Sequence, residues 1–304
     1  MHSVNQVDLS VEFAGLKLQN PIMPASGCFG YGEEFFRIEG FDPSRLGAIV
    51  SKGTTLEPRA GNPQPRIFEH QGGMINFIGL ENPGIDVVLE KKVPFMAWFG
   101  VPVFLNISGF TQEEFAILAQ KANLAKGASA LEVNISCPNV HGGRIPFGCD
   151  PIIAGQVTMA VREVTDLPII VKLTPNVDEG VIGVIAQAVE AAGADAISMI
   201  NTVKVENVGG IKIGGLSGRP IKEIALRMIK IVRRFVSVDI IGMGGIYTLT
   251  DALEFLRAGC SAVAVGTANF SNPLVMMELI DGLEKYCLEN GIQNLSQFYG
   301  AENH

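Results

Sequence analysis

The chain has no Cys-x-x-Cys pair, and its five cysteines (Cys28, Cys137, Cys149, Cys260, Cys287) are odd in number and irregular in spacing. That removes the usual sequence signal for a zinc site or an iron–sulfur cluster and speaks against a disulfide framework. Positive charge is also short. With 23 Lys and Arg against 31 Asp and Glu, the formal net charge of -8 excludes an extended nucleic-acid surface built on phosphate contacts. No uninterrupted apolar run is long enough to span a bilayer. The start, Met1 to Asp8, lacks the basic and apolar regions of a signal peptide, so the cytoplasm is the expected compartment. Charged residues reach only 18% and aromatics 7%, which leaves neither a disordered nor a fibrous composition.

What the chain has instead is apolar material (47% of residues) and glycine (35 residues). Val11–Leu18 alternates around Ala14-Gly15 and reads as a hairpin, placed as a lid over one barrel end. Eight candidate strands follow, centred on Ile22-Met23, Ala48–Val50, Val103–Leu105, Leu131–Val133, Ile169–Val171, Ala196–Met199, Ile240-Ile241 and Ala262–Val265. Helical patterns separate them. Thr111 with Glu114 starts one over Thr111–Lys126, and Asp150-Pro151 opens the next. Others run over Asp178–Ala192, Pro220–Phe235, Thr250–Ala258 and Pro273–Cys287. Strand, helix, strand, eight times, predicts a (β/α)8 barrel, with residues 1–304 as one domain. Residues 53–100 and 202–219 break the rhythm. Both are rich in glycine and follow strands, so both are expected at the catalytic face.

The strand ends carry the chemistry. They present Ser26-Gly27, Ser51-Lys52-Gly53, Asn106, Asn134–Asn139, Lys172, Asn201-Thr202, Gly244-Gly245 and Gly266-Thr267. Barrels often bind a phosphate with the loops after strands 7 and 8, and glycine lets backbone N–H groups approach the anion. Either pair alone reads equally as a plain turn. Lys52 and Lys172 suit an anionic group or an electron-rich ring, although a solvated lysine is the plainer reading of each. A Schiff-base aldolase also needs a strand-end lysine; a scarcity of acid–base carboxylates beside these two tells against it. Cys137 alone reads as a small buried hydrophobe. An unperturbed thiol, with a pKa of about 8.5, is usable as a base and best at higher pH.

At these residues the chain resembles the class 1 dihydroorotate dehydrogenases, flavin barrels that oxidise (S)-dihydroorotate to orotate in de novo pyrimidine (UMP) biosynthesis. The resemblance spans nearly the whole chain. It is carried in order by Pro24–Gly27, Lys52–Arg59, Gly61–Pro63, Asn76–Leu80, Asn134–Asn139, Val171–Leu173, Asn201-Thr202, Gly214–Gly218, Ile241–Gly245 and Val263–Thr267. Cysteine rather than serine at 137 separates it from the membrane-bound, quinone-using class 2. The segment Leu80–Gly84 and Leu56–Arg59 look most like class 1B, the NAD-linked form. That likeness implies a partner subunit with FAD and a [2Fe–2S] cluster in a heterotetramer of two of each subunit, around a homodimer of the barrel. This chain carries neither cluster cysteines nor a dinucleotide fingerprint, which fits a two-subunit enzyme and fits the fumarate-using class 1A equally well.

The resemblance also assigns roles. One FMN per chain would be lined by Ser26, Lys52, Gly53, Asn106, Asn134, Lys172, Ile200 and Gly218, its phosphate on Gly244, Gly245, Gly266 and Thr267. Orotate would be held by Lys52, Asn76, Phe77, Ile78, Gly79, Leu80, Asn134, Asn139, Asn201 and Thr202. Amides suit a planar imide because each offers a donor and an acceptor. Cys137 would take the C5 proton while hydride leaves C6 for FMN, and Pro138-Asn139 with Gly142-Gly143 would close over substrate. No metal is implied. Two departures stand out: a segment between Thr202 and Gly214 shorter than usual, and Phe77 where a small residue is usual. The phenyl ring either narrows the substrate pocket or points away. A dihydropyrimidine dehydrogenase-like flavin domain and a non-catalytic phosphate-ligand-binding barrel share parts of this pattern.

Overall fold

A computed structural model describes residues 7–136, 146–208 and 211–295. Eight parallel strands form the barrel: β1 (Ile22–Pro24), β2 (Ile49–Val50), β3 (Val103–Ile107), β4 (Ala130–Asn134), β5 (Ile169–Lys172), β6 (Ala196–Met199), β7 (Asp239–Met243) and β8 (Ala262–Val265). The hydrogen-bonded order runs β1-β8-β7-β6-β5-β4-β3-β2. The seam between β1 and β2 is bridged where Gly47 N–H donates to Ile22 O at 2.8 Å. A side chain cannot stand at that seam, because a Cβ on Gly47 would lie 2.0 Å from Asn20 O and 3.2 Å from Ile22 O. Gly47→Ala is therefore expected to lower stability by about 1–3 kcal/mol through overpacking, read as a fall in the urea midpoint at constant slope. An unmoved midpoint would mean that the seam is slack.

Side chains alternate across each strand, and here the two faces enter two separate cores. Leu105, Leu131, Val133, Val171 and Ile197 pack outward against Phe115, Leu118, Val157 and Ile182 of the surrounding helices. Met23, Phe104, Ala130, Ile170, Ala196, Ile241 and Ala262 face inward. The predicted hairpin (Val11–Phe13 with Leu16–Leu18) closes the N-terminal end of the barrel. Its Phe13 is fully buried in the inner core, 5.9 Å from the Phe104 ring, and Ala14 N–H donates to Asp239 Oδ2 at the start of β7.

The helices lie where their patterns predict, within a few residues at each end: Gln112–Leu124, Pro151–Arg162, Glu179–Ala191, Lys222–Val232, Leu249–Arg257 and Val275–Glu289. Thr111 accepts from Glu114 N–H, Asp150 from the N–H groups of Ile152 and Ile153, and Thr248 with Asp251 forms a full capping box. The strict eightfold alternation fails once. Between β1 and β2 the chain makes only single turns at Phe35–Arg37 and Pro43–Arg45. Three buried phenyl rings (Phe29, Phe35, Phe41), with centroids 4.6–5.9 Å apart, cover the barrel there in place of a helix.

The two long segments sit at the opposite end from the hairpin and build one antiparallel sheet. Its strands run in the order Val203–Val208, Ile211–Gly218, Gly73–Asn76, Ile67–His70. The rest of the first segment supplies a helical run over 85–97. The segment after Thr202 pairs as the strand Val203–Val208 against Ile211–Gly218. Among the described residues no helix is long and apolar enough to cross a membrane.

Candidate active site

Strand ends and the four-stranded sheet enclose a cleft that continues into a smaller one over the ends of β7 and β8. Of the residues expected at a cofactor, Ser26, Lys52, Gly53, Asn134 and Lys172 line the larger cleft. Ile200, Gly218, Gly244, Gly245, Gly266 and Thr267 line the smaller one, which Ser26 and Lys172 also reach. Of those expected at substrate, Lys52, Asn76, Ile78, Gly79, Leu80, Asn134, Asn201 and Thr202 share the larger cleft. Phe77 does not line it. Its N–H donates to Arg66 O and its carbonyl accepts from Asn62 Nδ2, and the ring stands off the cleft wall between Asn76 and Ile78. Cys137 and Asn139 lie outside the described residues, as do Pro138 and the Gly142-Gly143 pair.

Asn106 is not in the wall but beneath it, fully buried. The barrel interior changes there from apolar to polar. Asn106 stands level with Glu132 across β3 and β4, and Asn134, Lys172 and Ser198 stand level across β4, β5 and β6. Glu132 Oε1 accepts from Ser198 Oγ at 2.6 Å, its Oε2 accepts from Asn106 Nδ2, and Lys172 Nζ lies 3.8 Å from Oε2. The expected lack of carboxylates beside the lysines is therefore corrected: Glu132 stands beside Lys172, and Glu81 lies 3.8 Å from Lys52 Nζ. Long-range packing brings both acids in, Glu132 from a neighbouring strand and Glu81 from a loop. Glu132 had one signal in the sequence, a charge on the inward pleat between Ala130 and Asn134. An aldolase gains nothing from it, because this carboxylate is sealed 1% exposed and holds three neighbours already.

Two buried oxygens have no partner here, Asn106 Oδ1 and Ser108 Oγ. Both converge on the space beside Gly53, where a Cβ would lie 3.1 Å from the first and 3.5 Å from the second. Native interiors rarely leave such groups unpaired, so the pair marks a place where a ligand's polar edge belongs. Ser108, next after Asn106 on the same pleat, went unnoticed in the sequence. At the smaller cleft Gly244 and Gly245 take φ of 125° and 79°, and a Cβ on Gly245 would meet Lys222 Cβ at 2.8 Å and Gly218 O at 3.0 Å. Only glycine fits that turn, and the backbone is left bare towards the cleft. Tyr247 adds an aromatic wall, with the Arg219 guanidinium 4.2 Å over its ring. The residues present thus fit a phosphate at one end and a hydrogen-bonding ring at the other.

The amides of the larger cleft are pre-set. Ser136 Oγ donates to Asn134 Oδ1 at 2.6 Å and accepts from Asn201 Nδ2 at 2.8 Å, and Thr202 N–H donates to Asn201 Oδ1. Thr202 is held in turn through its carbonyl by Asn176 Nδ2. On the facing wall the Asn76–Leu80 loop turns through Gly79 (φ 76°) and Leu80 (φ 57°), a strained pose for leucine. Buried Asn82 pins it, donating to Leu80 O and Thr55 Oγ1 and accepting from the N–H groups of Thr55 and Gly84. Asn176 carries no motif of its own and emerges only from the fold, whereas Ser136 and Asn82 sit inside the Asn134–Asn139 and Leu80–Gly84 segments and gain their orienting roles from the fold.

Cys28 also lines both clefts. Burial pushes its thiol up to about 11 despite the pull of Lys172, so it holds its proton more tightly than an ordinary cysteine. Cys149, Cys260 and Cys287 are free as well.

The family model for dihydroorotate dehydrogenase matches residues 8–287. Three relatives named dihydroorotate dehydrogenase B (NAD(+)), catalytic subunit, are each 50% identical to the chain. The protein from Desulforamulus reducens aligns over 97% of this chain and 99% of its own length, that from Trichlorobacter lovleyi over 96% and 98%, and that from a Geobacillus species over 96% and 95%. The chain belongs to the dihydroorotate dehydrogenase family.

Proposed function

We propose that the chain is the catalytic subunit of an NAD-linked dihydroorotate dehydrogenase, cytoplasmic, oxidising dihydroorotate to orotate in pyrimidine biosynthesis. One observation carries the reading: two adjoining clefts bring a glycine turn fit for phosphate next to a set of pre-oriented amides, with two buried unpaired oxygens beneath the wall beside Gly53, in a chain half identical to relatives of that name. FMN supplies the hydride acceptor. Gly244, Gly245, Gly266 and Thr267 hold its phosphate, while Asn106 and Ser108 offer oxygens to its polar edge. Lys52 and Lys172 favour the negative charge that a reduced ring carries. Asn76, Asn134, Asn201 and Thr202, joined by Asn139, hold the imide and carboxylate of the substrate, and Cys137 removes the C5 proton. FAD and a [2Fe–2S] cluster belong to a partner subunit, two of each subunit making the assembly around a homodimer of barrels.

The acceptor is tested by purifying the chain alone and with its co-expressed partner. Dihydroorotate oxidation coupled to NAD only in the pair is the expected result. Fumarate reduction by the lone chain, at a rate matching orotate formation, would replace this reading with the fumarate-dependent one.

Ser136 gives a finer test. Removing its hydroxyl leaves Asn134 Oδ1 with only the longer bond from the residue's own N–H, at 3.3 Å, and Asn201 Nδ2 with only its 3.4 Å contact to the residue's carbonyl. One lost hydrogen bond of about 1.4 kcal/mol corresponds to tenfold. Ser136→Ala should therefore weaken orotate about tenfold, measured by flavin difference titration, with flavin content unchanged. Parent-like orotate affinity would mean that the two amides orient without it.

A further inference from the structure

Glu132 has no part in the reaction as described so far. Its carboxylate is sealed inside the barrel, 1% exposed, at the layer just below the cleft. A neutral side chain would fill that volume without the penalty of burying a charge. The three groups around Glu132 are informative. Asn106 spends its amide N–H on Oε2, which turns Asn106 Oδ1 towards the space beside Gly53, where it has no partner. Lys172, the cation that lines both clefts, has its ammonium 3.8 Å from the same oxygen. Ser198 Oγ, from the far side, holds the other oxygen at 2.6 Å and so fixes where the charge sits.

We propose that Glu132 is a positioning residue that sets the reduction potential of the flavin held above it. Its charge offsets that of Lys172, and its oxygen keeps the Asn106 carbonyl aimed at the ring. The inference rests on the FMN reading given above. A flavin bound there that accepted a hydride, two electrons with one proton, from dihydroorotate would become anionic. An uncompensated Lys172 would bind that anion too strongly relative to the oxidised ring and hold back onward transfer of electrons. Glu132 on the deeper side of the ammonium moderates this preference. The low polarity of the surrounding core makes the offset count for more than it would in water.

The test uses the FMN-loaded chain, reduced anaerobically at equilibrium with a dye of known potential. Glu132→Gln keeps an acceptor for Asn106 Nδ2 and removes only the charge. The expected result is a ratio of reduced-to-oxidised flavin affinity at least tenfold higher, about 30 mV more positive for a two-electron couple. Ser198→Ala, which removes a hydrogen bond and leaves the charge, should move the ratio less than threefold. A packing role alone predicts no difference between the two variants. If Glu132→Gln binds flavin and its ratio stays within threefold of the parent, or falls, the proposal is overturned while the cofactor reading stands. Glu132→Asp, whose charge sits farther from Lys172, should shift the ratio the same way by a smaller factor. It serves where the glutamine variant does not fold, and no shift in it overturns the proposal. A parent chain that binds no FMN overturns the cofactor reading and this inference together.

Discussion

Alanine at position 137 is expected to leave the flavin bound and to cut dihydroorotate turnover about 10²–10⁴-fold, the span that a positioned general base contributes. The flavin should stay because the residues proposed to hold it come from other strands: Gly244 and Gly245 after β7, Gly266 and Thr267 after β8, Lys172 at the end of β5. Cys28 lines the cleft, but burial pushes its thiol up to about 11, and it holds its proton at neutral pH. Serine at 137 should recover little, since a hydroxyl keeps its proton far more tightly than a thiol. The measurement is kcat/KM for dihydroorotate alongside flavin content per chain. Parent-like turnover in Cys137→Ala would remove the base assignment and send the search to another group in the cleft.

Lys172→Met should cost about 3 kcal/mol of stability. The change leaves Glu132 as a buried carboxylate without its cation, and breaking such a pair by removing one partner costs about 3–5 kcal/mol. The lower end applies because Asn106 Nδ2 and Ser198 Oγ still donate to the two oxygens. The methionine fills the space of the lysine stem, so the loss is electrostatic rather than a cavity. Adding Glu132→Gln to Lys172→Met removes the stranded charge and should recover stability to within about 1 kcal/mol of the parent. Urea midpoints taken at one fixed FMN concentration make the comparison once the linkage of each protein, RT ln(1 + [FMN]/Kd) with its own measured Kd, is subtracted. A single variant as stable as the parent, or a double variant no better than the single, would mean that the pair is not coupled.

The barrel was legible in the sequence for a local reason. Strands such as Ile169–Lys172 and Ala262–Val265 are short, apolar and rich in β-branched residues, and helix starts such as Thr111 and Asp150 sit where capping requires them. The first connection misled because Phe29, Phe35 and Phe41 cover the barrel through ring packing, which has no period to read. The roof over the cleft was hidden for a related reason. Its central pairing joins Gly215 to Asn76, 139 residues apart, and glycines argue against a strand when read locally. In the fold they are needed there, since a Cβ on Gly215 would meet Thr202 Oγ1 at 2.2 Å.

The candidate site divides along the same line. Of the residues in motifs, Lys52, Asn76, Asn134, Asn201 and Thr202 line the larger cleft, and Gly244, Gly245, Gly266 and Thr267 line the smaller one beside it. The residues that orient them (Glu132, Ser136, Asn82, Asn176) act through contacts between elements far apart in the chain, which no spacing rule encodes. Phe77 was ambiguous from sequence because a loop residue's facing is not set by a period. The register beside Asn62 and Arg66 turns it off the cleft wall.

An anaerobic titration tests whether this cleft holds FMN and passes it the hydride of dihydroorotate. Purified flavin-loaded chain is mixed with dihydroorotate, and the flavin absorbance is followed while orotate is measured in the same sample. Bleaching of the flavin with one orotate formed per flavin reduced is the expected result. A flavin that stays oxidised in excess dihydroorotate, with no orotate formed, would contradict it.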